Sequence, residues 1–306
     1  MAYYIGVDGG GTKTAYALFD EHKTLLSEYQ GPGSNHEGMR GSFSEAADVL
    51  MEGIGALLAP RGLTLEQVTA TLMGLAGMDH PFQHEVMLKE LADRGLRRVR
   101  VVNDGYIVVK AGIGAGAGIG YNCGTGTCCN SIDSRGEMRQ IGGLGGYTGD
   151  VGGGYWVAEQ AFRLLYDELG LCKFRSAVTA AMAEEGIVTL EDWMHSFGRM
   201  REESFRRRLI QTLFSASEAG DAPAREVVER MAARGADFLA GHVRRGVFDT
   251  DPVPVVLSGS IHTKTENDWY VKRLGALATA QTGRQFTFTK LAAAPVWGCI
   301  HWLLEE

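Results

Sequence analysis

Short apolar runs bounded by glycines open the chain, and the spacing of apolar positions then turns helical. Tyr3 to Val7, Thr14 to Phe19 and Thr24 to Tyr29 read as three strands, the first two joined through Gly9-Gly10-Gly11. Ser42-x-x-Glu45 predicts a capping box for a helix reaching about Leu58, whereas Thr64-x-x-Gln67 has room for only a turn. A strand from Thr69 to Ala76, a helix from Gln83 to Ala92, a strand from Val99 to Asn103 and a short helix from Tyr106 to Ala111 follow. The order then repeats. Ile119 to Cys123, Cys128 to Ile132 and Glu137 to Ile141 are three further strands, and Gly153 to Leu169 is an amphipathic helix with Trp156, Ala161, Leu164 and Leu165 close to one face. Helical material fills Ala177 to Val247, with Arg206–Arg208 on a solvated face. Val253 to Leu257 is a buried-type strand, Trp269 to Thr279 a helix, Gln285 to Thr289 a strand, and Val296 to Leu304 the closing helix.

Three strands followed by alternating helix and strand, twice over, predict two similar α/β domains with a cleft between them. The boundaries fall at residues 1–112 and 113–306, with a helical insertion at 173–249 and the closing helix near 293–304 packing back on the first domain. A length of 306 residues and 45% hydrophobic content support full cores. The 42 glycines have no Gly-X-Y period, which excludes collagen and points to backbone lying close to ligands. A net charge of −7 argues against nucleic acid or an anionic membrane as partner, although backbone N–H groups can still bind phosphate. Five cysteines, odd in number and without a C-x-x-C pair, argue against a disulfide scaffold or a zinc knuckle, and suggest a reducing compartment. No signal-peptide pattern is visible at the start. The uncharged stretch from Ala111 to Ile132 is long enough for a membrane span, yet seven glycines within it favour loop and strand.

Candidate chemistry lies in the turns. Asp8-Gly9-Gly10-Gly11-Thr12-Lys13-Thr14 between two strands can aim N–H groups of Gly10 and Gly11 at a phosphate, with Thr12 and Lys13 as further donors. Asp8 at the strand end can hold Mg2+. Gly124-Thr125-Gly126, after Asn122-Cys123, is a second hairpin of the same kind, and two such hairpins would clamp a nucleotide triphosphate. Gly112-x-Gly114-x-x-Ala117 with Asp133 mimics a dinucleotide fingerprint, but a strand rather than a helix follows it. Asp104, after Asn103 at a strand end, is placed either to accept a proton from a substrate hydroxyl or to cap the following helix, and the local pattern leaves both open. Asp150, in the glycine-rich loop from Gly142, is either an acceptor for ligand hydroxyls or a helix cap. Gly259 and Ser260 follow an apolar strand where a flat base or ribose can approach.

Together, the Gly-Val-Asp-Gly-Gly-Gly-Thr start, Ser34-Asn35-His36, Asn103-Asp104, the Gly-Thr-Gly hairpin, the Gly-Gly-x-Gly…Gly-Asp loop leading to Tyr155-Trp156, and Ser258-Gly259-Ser260 resemble the N-acetylglucosamine kinase family, over nearly the whole chain. That family lies in the superfamily of actin, hexokinase and heat-shock ATPases. The resemblance implies two ribonuclease-H-like domains that close on the substrate, and a cytoplasmic, homodimeric enzyme using ATP and Mg2+ on an amino sugar. It implies that Asp104 is the base for the sugar 6-hydroxyl, that Asp8 positions Mg2+, and that Thr12 and Thr125 contact the phosphates. By the same resemblance Ala216 and Gly259 line the adenosine pocket, and Asn35, His36, Asn103, Gly143, Leu144, Gly145 and Asp150 belong to the sugar site. Leu144 stands where the vertebrate enzyme has Trp, and Val151 where an acidic residue is common; both touch the sugar loop. The related ATPase activators of 2-hydroxyacyl-CoA dehydratases, which bridge a 4Fe–4S cluster with cysteines across a dimer, are the alternative. A non-catalytic sugar sensor is a further one, weakened by the intact Asp104.

Overall fold

The computed structural model describes residues 2–266 and 268–305. The chain divides into two compact units, residues 1–116 with 291–306, and residues 117–290.

In unit 1, β1 (Tyr3–Gly9), β2 (Lys13–Asp20), β3 (Leu25–Pro32), β4 (Val68–Leu75) and β5 (Val99–Asn103) form one sheet in the order β3-β2-β1-β4-β5. The β1–β2 and β2–β3 pairs are antiparallel, and β1–β4 and β4–β5 are parallel. The parallel strands are bridged by α1 (Ser42–Leu58) and α2 (Pro81–Asp93), and α3 (Asp104–Ile113) follows β5. Helix α1 buries Leu50, Ile54, Leu57 and Leu58 on one stripe, each worth ~1.5–3 kcal/mol of transfer free energy. Its capping differs from the sequence pattern. Ser42 is the first helical residue with φ of +50°, and Gly41 is the cap. The serine hydroxyl makes no cap bond, and only the Glu45 half of the box forms, Gly41 N donating to Glu45 Oε2 at 2.7 Å. At Thr64 a single turn forms as expected, with Thr64 N donating to Gln67 Oε1 at 2.9 Å.

Unit 2 repeats the sheet. Strands β6 (Gly118–Cys123), β7 (Thr127–Ile132), β8 (Met138–Gly142), β9 (Val253–Ser258) and β10 (Phe286–Lys290) take the order β10-β9-β6-β7-β8, with antiparallel and parallel pairs in the same places. Between β8 and β9 lie α4 (Gly154–Leu169), α5 (Ala177–Met182), α6 (Leu190–His195), α7 (Glu203–Glu218) and α8 (Ala222–Arg245). Helices α9 (Ser260–Lys264) and α10 (Asp268–Thr282) join β9 to β10. The last helix, α11 (Val296–Leu303), belongs to unit 1, where it packs on α3 and β1. That packing is so close that a Cβ on Gly298 would lie 1.9 Å from Ile107 O. Lys110 Nζ pairs with Glu305 Oε2 at 2.7 Å at the end of the contact.

The false dinucleotide fingerprint leads into β6, and Asp133 is a turn residue whose carboxylate accepts from Arg135 N, Glu137 N and Val247 N. Among the described residues no helix is long and apolar enough to cross a membrane.

Candidate active site

The first set of groups lies where three strands of unit 1 end. Because β1, β4 and β5 are parallel, their carboxyl ends bring Asp8, the segment after Leu75 and Asn103-Asp104 to one edge of the sheet, the edge at which open α/β sheets bind ligands. The β1–β2 hairpin is closed by Gly10 N donating to Lys13 O at 3.0 Å, and it leaves Gly11, Thr12 and Lys13 exposed. It is braced from behind. Ser34 N donates to Gly10 O at 3.0 Å, and a Cβ on Gly33 would lie 2.3 Å from Gly11 O.

Asp8 sits opposite Gly74 in the β1–β4 register, and glycine has no side chain to offer it. Among the described residues no group donates a hydrogen bond to the Asp8 carboxylate. Burial pushes its pKa up to about 6, partly offset by the charge of Lys13. A sheltered carboxylate without a donor suits a hard, hydrated divalent cation.

Asn103 caps α3: its backbone is extended and its Oδ1 accepts from Gly105 N at 2.8 Å. Asp104 is therefore the first residue of the helix rather than its cap. Burial pushes the Asp104 carboxyl up to about 7, with the charges of Asp8 and Asp79 adding to the effect. The amide of Asn103 is occupied at both ends, since Nδ2 donates to Asp79 Oδ1 at 2.9 Å. Asn35 Oδ1 accepts from Glu37 N at 3.0 Å, and His36 is buried with its ring stacked on Phe43 at 3.9 Å. Among the described residues His36 Nδ1 is buried without a partner, and burial lowers the ring's pKa.

In unit 2 the hairpin is closed by Gly124 N donating to Gly126 O at 3.0 Å, leaving Thr125 and Gly126 exposed. Its brace is the start of α4: Gly154 N donates to Gly124 O at 2.8 Å, and a Cβ on Gly153 would lie 2.7 Å from Thr125 O. Asn122 occupies the position of Asp8, facing Ser258 in register, and Ser258 Oγ donates to Asn122 Oδ1 at 3.2 Å. Gly259 has φ of +84°, and a Cβ there would lie 2.3 Å from Cys123 O, so only glycine fits against this hairpin. Ser260 is exposed at the start of α9, and Ala216 is buried in the helical core on α7.

Asp150 is not a helix cap either, because Gly153 caps α4. Its carboxylate is engaged by its own loop: Oδ2 accepts from Gly143 N and Gly145 N, and Oδ1 from Thr148 Oγ1, all at 2.8 Å. Arg234 on α8 donates to Gly149 O at 3.1 Å and to Thr148 O, pinning the same loop. Leu144 and Tyr147 are left exposed at its tip. Val151 O accepts from Thr127 Oγ1 at 3.1 Å and ties the loop to the base of the hairpin.

Asp79 and Arg234 escape a reading of motifs. One precedes a proline that starts a helix and looks like a loop residue; the other looks like part of a solvated helix face. A hollow of about 430 Å³ elsewhere in unit 2, lined by Glu168, Ser176, Thr179, Ile187 and Val188 among others, is mostly apolar. Its buried Glu168 carboxylate is already met by Ser176 N and Arg175.

An N-acetylmuramic acid/N-acetylglucosamine kinase of Clostridium acetobutylicum is 32% identical over 168 residues, 53% of this chain and 53% of that protein, so the match spans about half the length of that curated relative. An N-acetyl-D-glucosamine kinase of Dictyostelium discoideum is 23% identical over 272 residues, 84% of each chain. Among solved structures, a candidate N-acetylglucosamine kinase from Chromobacterium violaceum superposes with a TM-score of 0.64 at 22% identity, covering 100% of this chain and 99% of the other. A glucokinase of the ROK family from Streptomyces griseus, in complex with glucose and AMPPNP, gives 0.57 at 17% identity, covering 98% and 97%. At these identities the structural likeness establishes the shared fold. The pattern of the BadF/BadG/BcrA/BcrD ATPase family matches residues 5–278, and the chain belongs to that family.

Proposed function

We propose that the protein is an ATP-dependent kinase that phosphorylates an N-acetylglucosamine-type hexosamine at its 6-hydroxyl, with Asp104 as general base. The observation that carries this is the state of Asp104: relieved of capping by Asn103, lying beyond a parallel strand, and holding a pKa of about 7. A base with a pKa near the working pH combines availability with proton affinity. As the sugar O6 attacks the γ-phosphorus, its proton passes to the Asp104 carboxylate, the new O–P bond forms, the bond to the β-phosphate oxygen breaks, and ADP leaves. The exposed residues Gly11–Lys13 of one turn and Thr125–Gly126 of the other offer N–H groups, the Thr12 and Thr125 hydroxyls and the Lys13 ammonium to the phosphates, whereas the N–H groups of Gly10 and Gly124 close their own hairpins and are not available to them. Asp8 would hold Mg2+, which when bound neutralises phosphate charge. Gly259 and Ser260 face the adenosine in this reading; Ala216, which the resemblance adds to that pocket, is itself buried in the helical core of unit 2. By the resemblance of the motifs, Asn35, His36 and Asn103 of unit 1 and Gly143, Leu144, Gly145 and Asp150 of unit 2 are each sugar-binding residues, Asp150 by shaping its loop. The names of the two curated relatives support an amino sugar as acceptor. A homodimeric, cytoplasmic enzyme follows from the resemblance of the motifs.

The iron–sulfur activator reading is less well supported. Cys123, Cys129 and Cys299 are buried, Cys128 is half-buried on β7 and Cys172 is exposed after α4, and among the described residues no group of His, Cys, Asp or Glu side chains is clustered to hold a metal. The test is ADP release across a panel of amino and neutral sugars with Mg2+. Stimulation by N-acetylglucosamine-type sugars, with 6-deoxy analogues binding but not turning over, is expected. No stimulation by any sugar, or phosphorylation of a 6-deoxy analogue, overturns the reading.

A further inference from the structure

We infer that Asp79 is a specificity-determining residue whose carboxylate binds a hydroxyl of the sugar ring next to the phosphorylated arm. The inference rests on the kinase reading above. Asp79 lies four residues beyond the end of β4 and is held in place by its surroundings. Its own N–H and that of His80 both donate to Gln83 Oε1, at 2.8 and 2.7 Å, which fixes the turn into α2. Its Oδ1 accepts from Asn103 Nδ2, and Asn103 in turn is fixed by its cap bond to Gly105 N. One rigid amide therefore separates Asp79 from Asp104. The segment also meets the other acceptor-side residues: a Cβ on Gly77 would lie 2.7 Å from Asn35 Oδ1 and 3.1 Å from His36 Cε1. Asn35, His36, Asp79, Asn103 and Asp104 thus converge on one edge of unit 1.

Within that group Asn103 and His36 are buried, while Asp79 is exposed. It nonetheless lies next to both buried groups, bonded to the residue that precedes Asp104 and two residues from Gly77, which abuts His36. A carboxylate offers roughly four acceptor positions. Asn103 takes one, and among the described residues no other side chain or backbone N–H donates to the rest. Sugar hydroxyls are donors of the right kind, and a hydrogen bond to a charged acceptor is shorter and stronger than a neutral one. Because Asp79 is tied to the residue preceding Asp104, gripping a ring hydroxyl here would also fix where the 6-hydroxyl meets its base.

The test couples side chain to substrate. Turnover of N-acetylglucosamine and its 3-deoxy and 4-deoxy analogues is measured for the wild type and for Asp79→Asn, which keeps an oxygen for Asn103 but loses the charge. The wild type is expected to lose roughly 10–100-fold in kcat/KM on one of the two analogues, the range of a charge-assisted hydrogen bond. Asp79→Asn should lose a similar factor on the parent sugar and little more on that analogue, with KM for ATP unchanged, because removing either partner removes the same bond. If the analogue costs the variant as much as it costs the wild type, Asp79 only orients Asn103 and the inference is wrong. Wild-type protein that releases no ADP with any sugar defeats the kinase reading itself, and this inference with it. That outcome is distinct, since it appears before any variant is made.

Discussion

The two hairpins share a construction and differ in charge. In each, the turn after the first strand is closed by its own backbone, and the segment following the third strand donates an N–H to its first glycine carbonyl: Ser34 to Gly10, Gly154 to Gly124. In each, the residue before that donor must be glycine, because a Cβ on Gly33 or Gly153 would run into hairpin backbone. The difference lies one row back in the sheet. In unit 2 the strand-end residue is Asn122, whose Oδ1 accepts from Ser258; in unit 1 it is Asp8, opposite Gly74 and, among the described residues, without a hydrogen-bond donor to its carboxylate. Unit 1 also adds Lys13 in the turn and Asp104 beyond β5. One topology therefore carries two kinds of strand end, a neutral one in unit 2 and an ionisable one in unit 1.

The largest effect expected from breaking this asymmetry is at Asp104. Asp104→Asn retains shape but cannot take a proton, so kcat should fall by ~10²–10⁴-fold, while Asn103 continues to cap α3. A variant retaining more than about a tenth of wild-type turnover removes Asp104 as the base.

The shared brace should be less dramatic and symmetrical. Gly33→Ala and Gly153→Ala each force a methyl against backbone, and a loss of ~1–3 kcal/mol in stability is expected from overpacking, read by denaturant unfolding. If one is silent and the other severe, the two hairpins are not built alike.

The smallest effect belongs to Asp150, which serves its loop alone. Asp150→Ala should speed amide exchange at Gly143 and Gly145 by about tenfold or more, as each loses a charge-assisted bond. Exchange in the hairpin Gly124–Gly126 should be unaltered. Unchanged exchange at Gly143 and Gly145 would show that the carboxylate does not organise the loop.

Much of this was legible in the sequence, for physical reasons. Glycine- and threonine-rich turns between short strand-like segments marked both hairpins, and the repeated order of strands and helices pointed to the duplicated sheet. Capping was harder, because a cap depends on backbone angles that side-chain identity only biases. Ser42 looks like a cap but adopts φ of +50°, and Asn103 rather than Asp104 takes the cap of α3. Long-range partners were not legible at all. Nothing local announces that Arg234 reaches across 85 residues to Gly149 O, or that Asp79 meets Asn103.

The central claim is that unit 1 holds a sheltered carboxylate at Asp104 that titrates near neutrality. In the folded protein its pKa is about 7 against 3.8 for the ordinary group. Between those values the folded state holds a proton that the unfolded chain has released, so stability falls as pH rises through that window and levels off above it. Asp8, with a folded pKa of about 6, adds a slope of the same sign that ends sooner. The direct measurement is the unfolding free energy of ligand-free, Mg2+-free wild type and Asp104→Asn from pH 5 to pH 8. The wild type should lose stability relative to Asp104→Asn across that range, leaving the variant the more stable protein at pH 8. Parallel curves would mean that Asp104 titrates like an exposed aspartate, and would contradict the account.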